Sequence, residues 1–411
     1  MKAENVKVYR NNEIRLAADH VLSMGGKTDF KVIKVRPIVL SYVYPEGKEL
    51  VWVGGTIKSW DAGLVEVTLE DGTTGIGEAG AAIMAAAAVP GLVDSYAPYL
   101  IGQSFDHPLS VGDHLRAYTA FWSRGGIANG VAGAIEIACI DAVGKREGLP
   151  AFEIMGGSSK SSIEVYASGG LGTNFDEVLQ WAINQYQNGF DTVKFRAMRD
   201  PKTTLELLDY VIPKLPTNKK FILDAVQGCA ANPWELEESI NVGQLVSKYG
   251  GRWYEEPCFA DDVAGYAAVE KALDTPISGV ESHGTYQEFQ SLIDAHGVNI
   301  AQPDSTFVGG TNTFFRVADY AKSHGVACVP HIWGSAVTYM ANLHASFAHD
   351  HIELFEFCTL PNELRDALFS EKISFHDSRV DRPVLPGIGV NVDAQMETRF
   401  PYRNVGGHVI K

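Results

Sequence analysis

From about residue 162 to residue 356, short apolar runs alternate with longer segments in which apolar residues recur at helical spacing. Each run ends on polar or charged residues. The ends are VKFR (Lys194, Arg196), FILD (Asp224), WYEE (Glu255, Glu256), ISGVE (Glu281), IAQPD (Asp304), CVPH (His331) and LFEF (Glu356), spaced roughly 23 to 31 residues apart. That spacing suits one strand–loop–helix unit. IEVYASGG, ahead of them, supplies a first strand. Leu205, Leu208, Val211 and Ile212 mark the helix after Arg196; Trp234, Leu236, Ile240, Leu245 and Val246 mark the one after Asp224. Parallel strands need crossover helices, and eight such units close into a barrel whose chemistry gathers at the strand C-termini. The pattern therefore predicts an α/β barrel in which the polar run ends converge on one pocket.

The first third follows another rhythm. FKVIKVRPIVLSYVY, from Phe30 to Tyr44, alternates like a strand, and GLVEVTLEDGTTGIGEAG resumes the alternation around an Asp71-Gly72 hairpin turn. The segment from Tyr44 to Trp60, carrying Trp52, reads as a long loop, either a plain connection or a lid. Helical signals follow at Ala82–Leu100, at His107–Trp122 and in GVAGAIEIACIDAVGKREGLP, which Gly148 should end. These readings divide the chain into an arm over residues 1–26, a small α+β domain over 27–155 and a barrel over 156–377. A C-terminal return, about 378–411, is expected to pack on the small domain.

A length of 411 residues suits a barrel plus a smaller domain. The formal net charge of -16 argues against nucleic acid or an anionic membrane as partner. The amino terminus lacks the apolar core of a signal peptide, and the longest apolar run, Ala81–Val93, is too short to span a bilayer. Five widely spaced cysteines without a CxxC pair fit a reduced, cytoplasmic protein.

Asp224, Glu255 and Glu281 close three consecutive strands. Carboxylates brought that close cannot all ionise unpaired, and a hard divalent cation such as Mg²⁺ resolves the conflict. Lys194 and Arg196, two apart on one strand, both point into the barrel and imply an anionic ligand. Asp304 and His331 end neighbouring strands, so the carboxylate can fix the imidazole tautomer and make His331 a general base.

As an ordered set, VKFRAM, LDAVQG, WYEEPC, SGVES, AQPDSTFVGGTN, VPHIWG and LFEF, with AIEIACIDAVGKREGLPAFEIMGG, resemble the enolase superfamily. The resemblance is to the mandelate racemase/muconate lactonizing enzyme branch, of the acid-sugar dehydratase type. It covers the chain from about Phe30 to Asp393 and implies an α+β capping domain on a (β/α)7β modified TIM barrel. It implies Mg²⁺ on Asp224, Glu255 and Glu281, with Glu256 behind them and a catalytic His331–Asp304 pair. Glu356 would donate a hydrogen bond to the developing enediolate.

Two positions depart from the family pattern. Many relatives carry a second lysine, a base on the opposite face, where this chain has Arg196. An arginine stays protonated and clamps anions, which speaks against racemisation. Val226 stands where relatives often show a polar residue near the substrate hydroxyls. The expectation is a Mg²⁺-dependent lyase acting on a sugar-acid carboxylate in a homo-oligomer, with an isomerase of the same fold (an epimerase or cycloisomerase) as the alternative.

Overall fold

The alternation that begins at Phe30 becomes a strand, Phe30–Val43, in a computed structural model that describes residues 28–373 and 375–410. The arm expected over residues 1–26 lies outside the described residues. Phe30–Val43 pairs antiparallel with Ser59–Leu69, which turns through Asp71-Gly72 into Thr74–Glu78. Gly72 takes the positive φ, +89°, that this turn requires. The short strand Ser104–Phe105 completes the sheet on the other edge of Phe30–Val43.

Helix Gly126–Glu147 lies against this sheet and is buried all round, which explains its lack of a polar stripe. It is long and apolar enough to cross a membrane, yet it is packed inside the protein. As expected, Gly148 ends it in the left-handed conformation, φ +66°. The sheet approaches this helix closely at two glycines. A Cβ on Gly75 would strike the Ala138 carbonyl, and one on Gly77 would strike the Ala134 carbonyl.

The segment expected as a loop between Tyr44 and Trp60 is instead a hairpin. Leu50–Trp52 pairs with Gly55–Ile57 around Val53-Gly54, and His408–Ile410 adds a third strand beside Gly55–Ile57. The local pattern could not reveal this, because the stabilising strand comes from the far end of the sequence. Tyr44, Ile57 and Trp60 form an apolar cluster with Ile83, Cys358 and Leu360, and Leu171 and Trp333 pack against it. The hairpin therefore sits over the barrel mouth, and Val53 N–H donates to Gly172 O of the first barrel loop.

The barrel strands are Ser162–Ser168, Thr192–Arg196, Lys220–Asp224, Tyr254–Glu255, Ile277–Gly279, Ile300–Ala301, Ala327–Cys328 and Leu354–Cys358. The first seven pair in order, all parallel, and Leu354–Cys358 closes on Ser162–Ser168. A helix of nine residues or more fills each of the seven connections, giving the (β/α)7β barrel with its α+β cap. Tyr166, Ile222, Trp253, Ile300, Val329 and Leu354 fill the interior below the site. The C-terminal return divides its contacts. Arg379–Asp381 pairs with Ser162–Ser168 of the barrel, whereas Pro401 bridges Leu40 and His408–Ile410 joins the hairpin sheet.

The cap grips one side of the mouth. Asn129 donates to Gly284 O at 2.5 Å and Val308 O at 3.2 Å, and Arg116 donates to Gly309 O. Glu136 accepts from Asn312 N at 2.9 Å, at the start of helix Thr311–Ser323. Because Gly77 lets the sheet touch helix Gly126–Glu147, Gly77→Ala is expected to destabilise the protein by about 1–3 kcal/mol through overpacking. Urea unfolding measures this, and an unchanged midpoint would contradict the close approach.

Candidate active site

Strand alternation turns every second side chain inward, so Thr192, Lys194 and Arg196 share one face, as do Trp253 and Glu255. Parallel register then aligns the strand ends: Arg196 pairs with Asp224, and Asp224 with Glu255. Glu281 follows the next strand by two residues. The structure brings Asp224, Glu255 and Glu281 together, each offering an oxygen within 4.8 Å of the others.

The backbone beside each acid is strained. Val226 (φ +54°), Glu256 (φ +46°) and Val280 (φ +63°) occupy the left-handed region without being glycine. Such residues cost on the order of 1–3 kcal/mol each and gather at functional sites. Here they turn the chain so that the acids face inward; Val226 N–H also donates to Asp224 Oδ1 at 2.8 Å.

Lys194 is fully buried among anions. Its Nζ contacts Glu255, lies 2.8 Å from Glu356 Oε1 and 3.8 Å from Asp224 Oδ2. Arg196 places a guanidinium nitrogen 2.7 Å from Asp224 Oδ2 and rests 5.7 Å from the Trp333 ring centre. Burial raises the Glu255 carboxyl, but Lys194 and Arg196 outweigh it and pull it down to about 2. Glu255 also accepts from Trp253 Nε1 at 2.8 Å and Gln302 Nε2 at 2.9 Å. Asp224 goes the other way: burial, helped by the Glu255 charge, raises it to about 8 despite Arg196.

His331 Nδ1 lies 3.1 Å from Asp304 Oδ2, and its Nε2 lies 3.5 Å from Glu281 Oε2. Burial lowers the imidazole, but Glu281 and the Asp304 hydrogen bond raise it further, to about 9. Glu356 Oε2 accepts from Ile332 N–H at 2.7 Å. Burial raises the Glu356 carboxyl, yet Lys194 and His331 hold it below its ordinary value. In this arrangement Glu356 accepts hydrogen bonds; the donor role implied by the resemblance requires it first to take up a proton.

A divalent cation fits this pocket. Six carboxyl groups (Asp224, Glu255, Glu256, Glu281, Asp304, Glu356) surround three cationic side chains, Lys194, Arg196 and His331. Glu256 Oε1 is buried without a hydrogen-bond donor among the described residues, and Glu281 Oε2 has only the His331 ring nitrogen at 3.5 Å. Oxygen donors of this kind suit a hard cation.

Sequence reasoning missed Trp333, which spans from Arg196 to Trp60, its ring centre 5.1 Å from that of Trp60. Only its place two residues after His331 could have pointed to it. Trp52, singled out instead, folds over its own turn at Gly54.

Comparison with known proteins agrees with this architecture. The family described as mandelate racemase/muconate lactonizing enzyme, N-terminal domain, matches residues 45–156, and the one described as enolase C-terminal domain-like matches residues 177–396. The chain is 30% identical over 355 residues to the D-galactarolactone cycloisomerase of Agrobacterium fabrum, covering 82% of this chain and 91% of that protein. It is 30% identical over 279 residues to the L-talarate/galactarate dehydratase of Salmonella typhimurium, covering 66% of this chain and 65% of that one. The crystal structure of the 3,6-anhydro-D-galactonate cycloisomerase from Zobellia galactanivorans superposes with a TM-score of 0.79 at 25% identity, covering 90% of this chain and 100% of that one. The barrel, its cap and these matches agree: the chain belongs to the mandelate racemase/muconate lactonizing enzyme family of the enolase superfamily.

Proposed function

We propose that the protein is a Mg²⁺-dependent lyase that removes the α-proton of a sugar-acid carboxylate and expels the β-hydroxyl, giving a 2-keto-3-deoxy acid. The observation that carries this reading is the unequal pair of groups flanking the acids. On the Glu281 side stands an imidazole aligned by a carboxylate; on the Asp224 side stands a guanidinium. Arginine does not give up its proton, so Arg196 serves as a clamp and not as a base. Racemisation through two opposed bases has only one here, and elimination needs only one.

Asp224, Glu255 and Glu281 would hold Mg²⁺, whose positive charge beside the substrate carboxylate would offset the second negative charge created by α-deprotonation. Lys194 binds the same carboxylate, and Glu356, displaced from Lys194, takes up a proton and stabilises the enediolate. With a cation offsetting the Glu281 charge that raises it, His331 can be neutral, and its Nε2 then accepts the α-proton while Asp304 steadies Nδ1. The enediolate electrons then form the C2–C3 double bond as the C3–O bond breaks. His331 returns the proton to the departing hydroxyl, water leaves, and the enol tautomerises to the 2-keto acid. Five free thiols, four of them buried, support a reducing, cytoplasmic setting.

A second reading is favoured by the cycloisomerases among the similar proteins. If the departing oxygen belongs to a ring, the same elimination opens the ring and conserves mass. Screening mono- and diacid sugars, lactones and anhydro acids by mass spectrometry separates the readings, since only dehydration loses water. No turnover across such a panel would sink both.

Glu281→Gln removes one charge from a crowded cluster. The cation-free variant should therefore melt no lower than wild type, while Mg²⁺ should stabilise it far less. Equal stabilisation of both proteins by Mg²⁺ would remove Glu281 from the ligand set.

His331→Asn should lose α-hydrogen exchange in D₂O and elimination together, by on the order of 10² to 10⁴-fold. Arg196→Lys should slow elimination and introduce α-exchange on the opposite face. Rapid exchange with unchanged stereochemistry in His331→Asn would place the base elsewhere, with Lys194 the first alternative.

A further inference from the structure

We propose that Glu78, in the capping domain, is a positioning residue for the Asp304–His331 pair, reaching it through a buried relay of hydroxyl and amide groups. The inference rests on the acid–base role given to His331 above. Glu78 ends the strand Thr74–Glu78 and is 1% exposed. Its Oε2 accepts from Ser335 Oγ at 2.5 Å and Thr338 N at 3.0 Å, and its Oε1 from Ser335 N at 3.3 Å. Ser335 and Thr338 open helix Ala336–Ala348, which follows His331 in the chain. A buried carboxylate at a helix N-terminus satisfies donors that the helix leaves unpaired.

The relay continues inward. Thr338 Oγ1 donates to Thr306 Oγ1 at 3.3 Å, and Thr306 donates to Asp304 Oδ1 through Oγ1 at 2.7 Å and N–H at 2.8 Å. One turn after Thr338, Asn342 Nδ2 donates to the same Oδ1 at 2.8 Å, while Asn342 Oδ1 accepts from Ser305 N at 2.8 Å. Thr306, Thr338, Asn342 and Asp304 are all fully buried. With three donors on Oδ1, only Oδ2 of Asp304 is left to face His331.

Two residues beyond Glu78, the same cap turn touches this shell again. A Cβ on Gly80 would collide with Thr306 Oγ1 and crowd the Phe307 ring. That ring stands edge-on to His331, with centroids 5.5 Å apart. A shift of helix Ala336–Ala348 thus carries Thr338 and Asn342 with it and turns the Asp304 carboxylate. Misplacement by about 1 Å costs on the order of 10²-fold in rate.

Glu136 supplies the control. It also ties the cap to a barrel helix, but its hydrogen bonds run to Asn312 N and Gly112 N, not to the relay. Glu78→Gln, Thr338→Val and Glu136→Gln are compared on the sugar acid that the wild-type enzyme turns over in the screen. Thr338→Val keeps the backbone bond to Glu78 and removes the hydroxyl, with its link to Thr306 and its contact with Glu78.

Glu78→Gln and Thr338→Val should lower kcat by roughly tenfold or more, with KM within about twofold and Mg²⁺ binding unchanged. Glu136→Gln should lower the melting temperature while kcat stays within about twofold. A substrate-free readout is the NMR resonance of the His331 Nδ1–H proton, assigned by its absence in His331→Asn. It should shift or broaden in Glu78→Gln and persist in Glu136→Gln.

If kcat in Glu78→Gln is unchanged, or falls only as far as in Glu136→Gln and in step with stability, Glu78 merely docks the cap and the proposal is overturned. If wild type processes no sugar acid, the functional reading fails. The positioning role then stands or falls on the NMR comparison alone.

Discussion

Carboxylates that share a pocket poor in water cannot all carry charge unless cations stand among them. In this protein that constraint organises the barrel mouth. Asp224, Glu255 and Glu281 converge because parallel register leaves them no alternative, and Lys194 and Arg196 are drawn onto Glu255 and Asp224. The two acids shift in opposite directions: Lys194 and Arg196 hold Glu255 low, while burial pushes Asp224 up. An acidic cluster in this condition is poised to accept positive charge. Neighbouring anions raise His331, and Lys194 holds Glu356 below its ordinary value, so every group with a proposed role answers to one electrostatic balance.

The cap imposes a second order on the mouth. Along the loops after the fifth, sixth and seventh strands it is bound by buried polar contacts from Arg116, Asn129, Glu136 and Glu78. Over the first and last strands the contact is a small apolar cluster around Trp60, beneath the three-stranded hairpin sheet, with two polar bonds, Val53 N–H to Gly172 O and Tyr44 Oη to Pro361 O. Directional polar bonds hold a geometry, whereas apolar packing tolerates rearrangement. The side that carries Asp304 and His331 thus has the larger share of directional bonds to the cap.

The barrel was legible in the sequence because its signal repeats: each strand is a short apolar run, and each ends on a residue that no core would choose unpaired. Asp304 and His331 could be read as a pair for the same reason, since neighbouring strands place their ends side by side. The hairpin at Leu50–Ile57 was not legible, because its glycines and charges look like a loop until His408–Ile410 is laid beside it. Nor were Val226, Glu256 and Val280 legible as turns, since their left-handed backbones run against local preference. Glu78 carries no local signal in the sequence; only the helix that folds against it gives it partners.

The return of the chain to the cap has a kinetic side. Arg36 meets Glu397 across 361 residues, and Pro401 bridges Leu40, so the whole barrel is spliced between two halves of one small domain. Closing so long a loop adds little entropy beyond that of a shorter one, because the cost grows only with the logarithm of its length. The order of events is what it alters. The early cap strands emerge from the ribosome long before the residues that complete the hairpin sheet, and non-local pairings of this kind form slowly. During synthesis the barrel must mature beneath an unfinished roof, since Ile57 gains its neighbours Cys358, Leu360 and His408 only when the last part of the chain arrives.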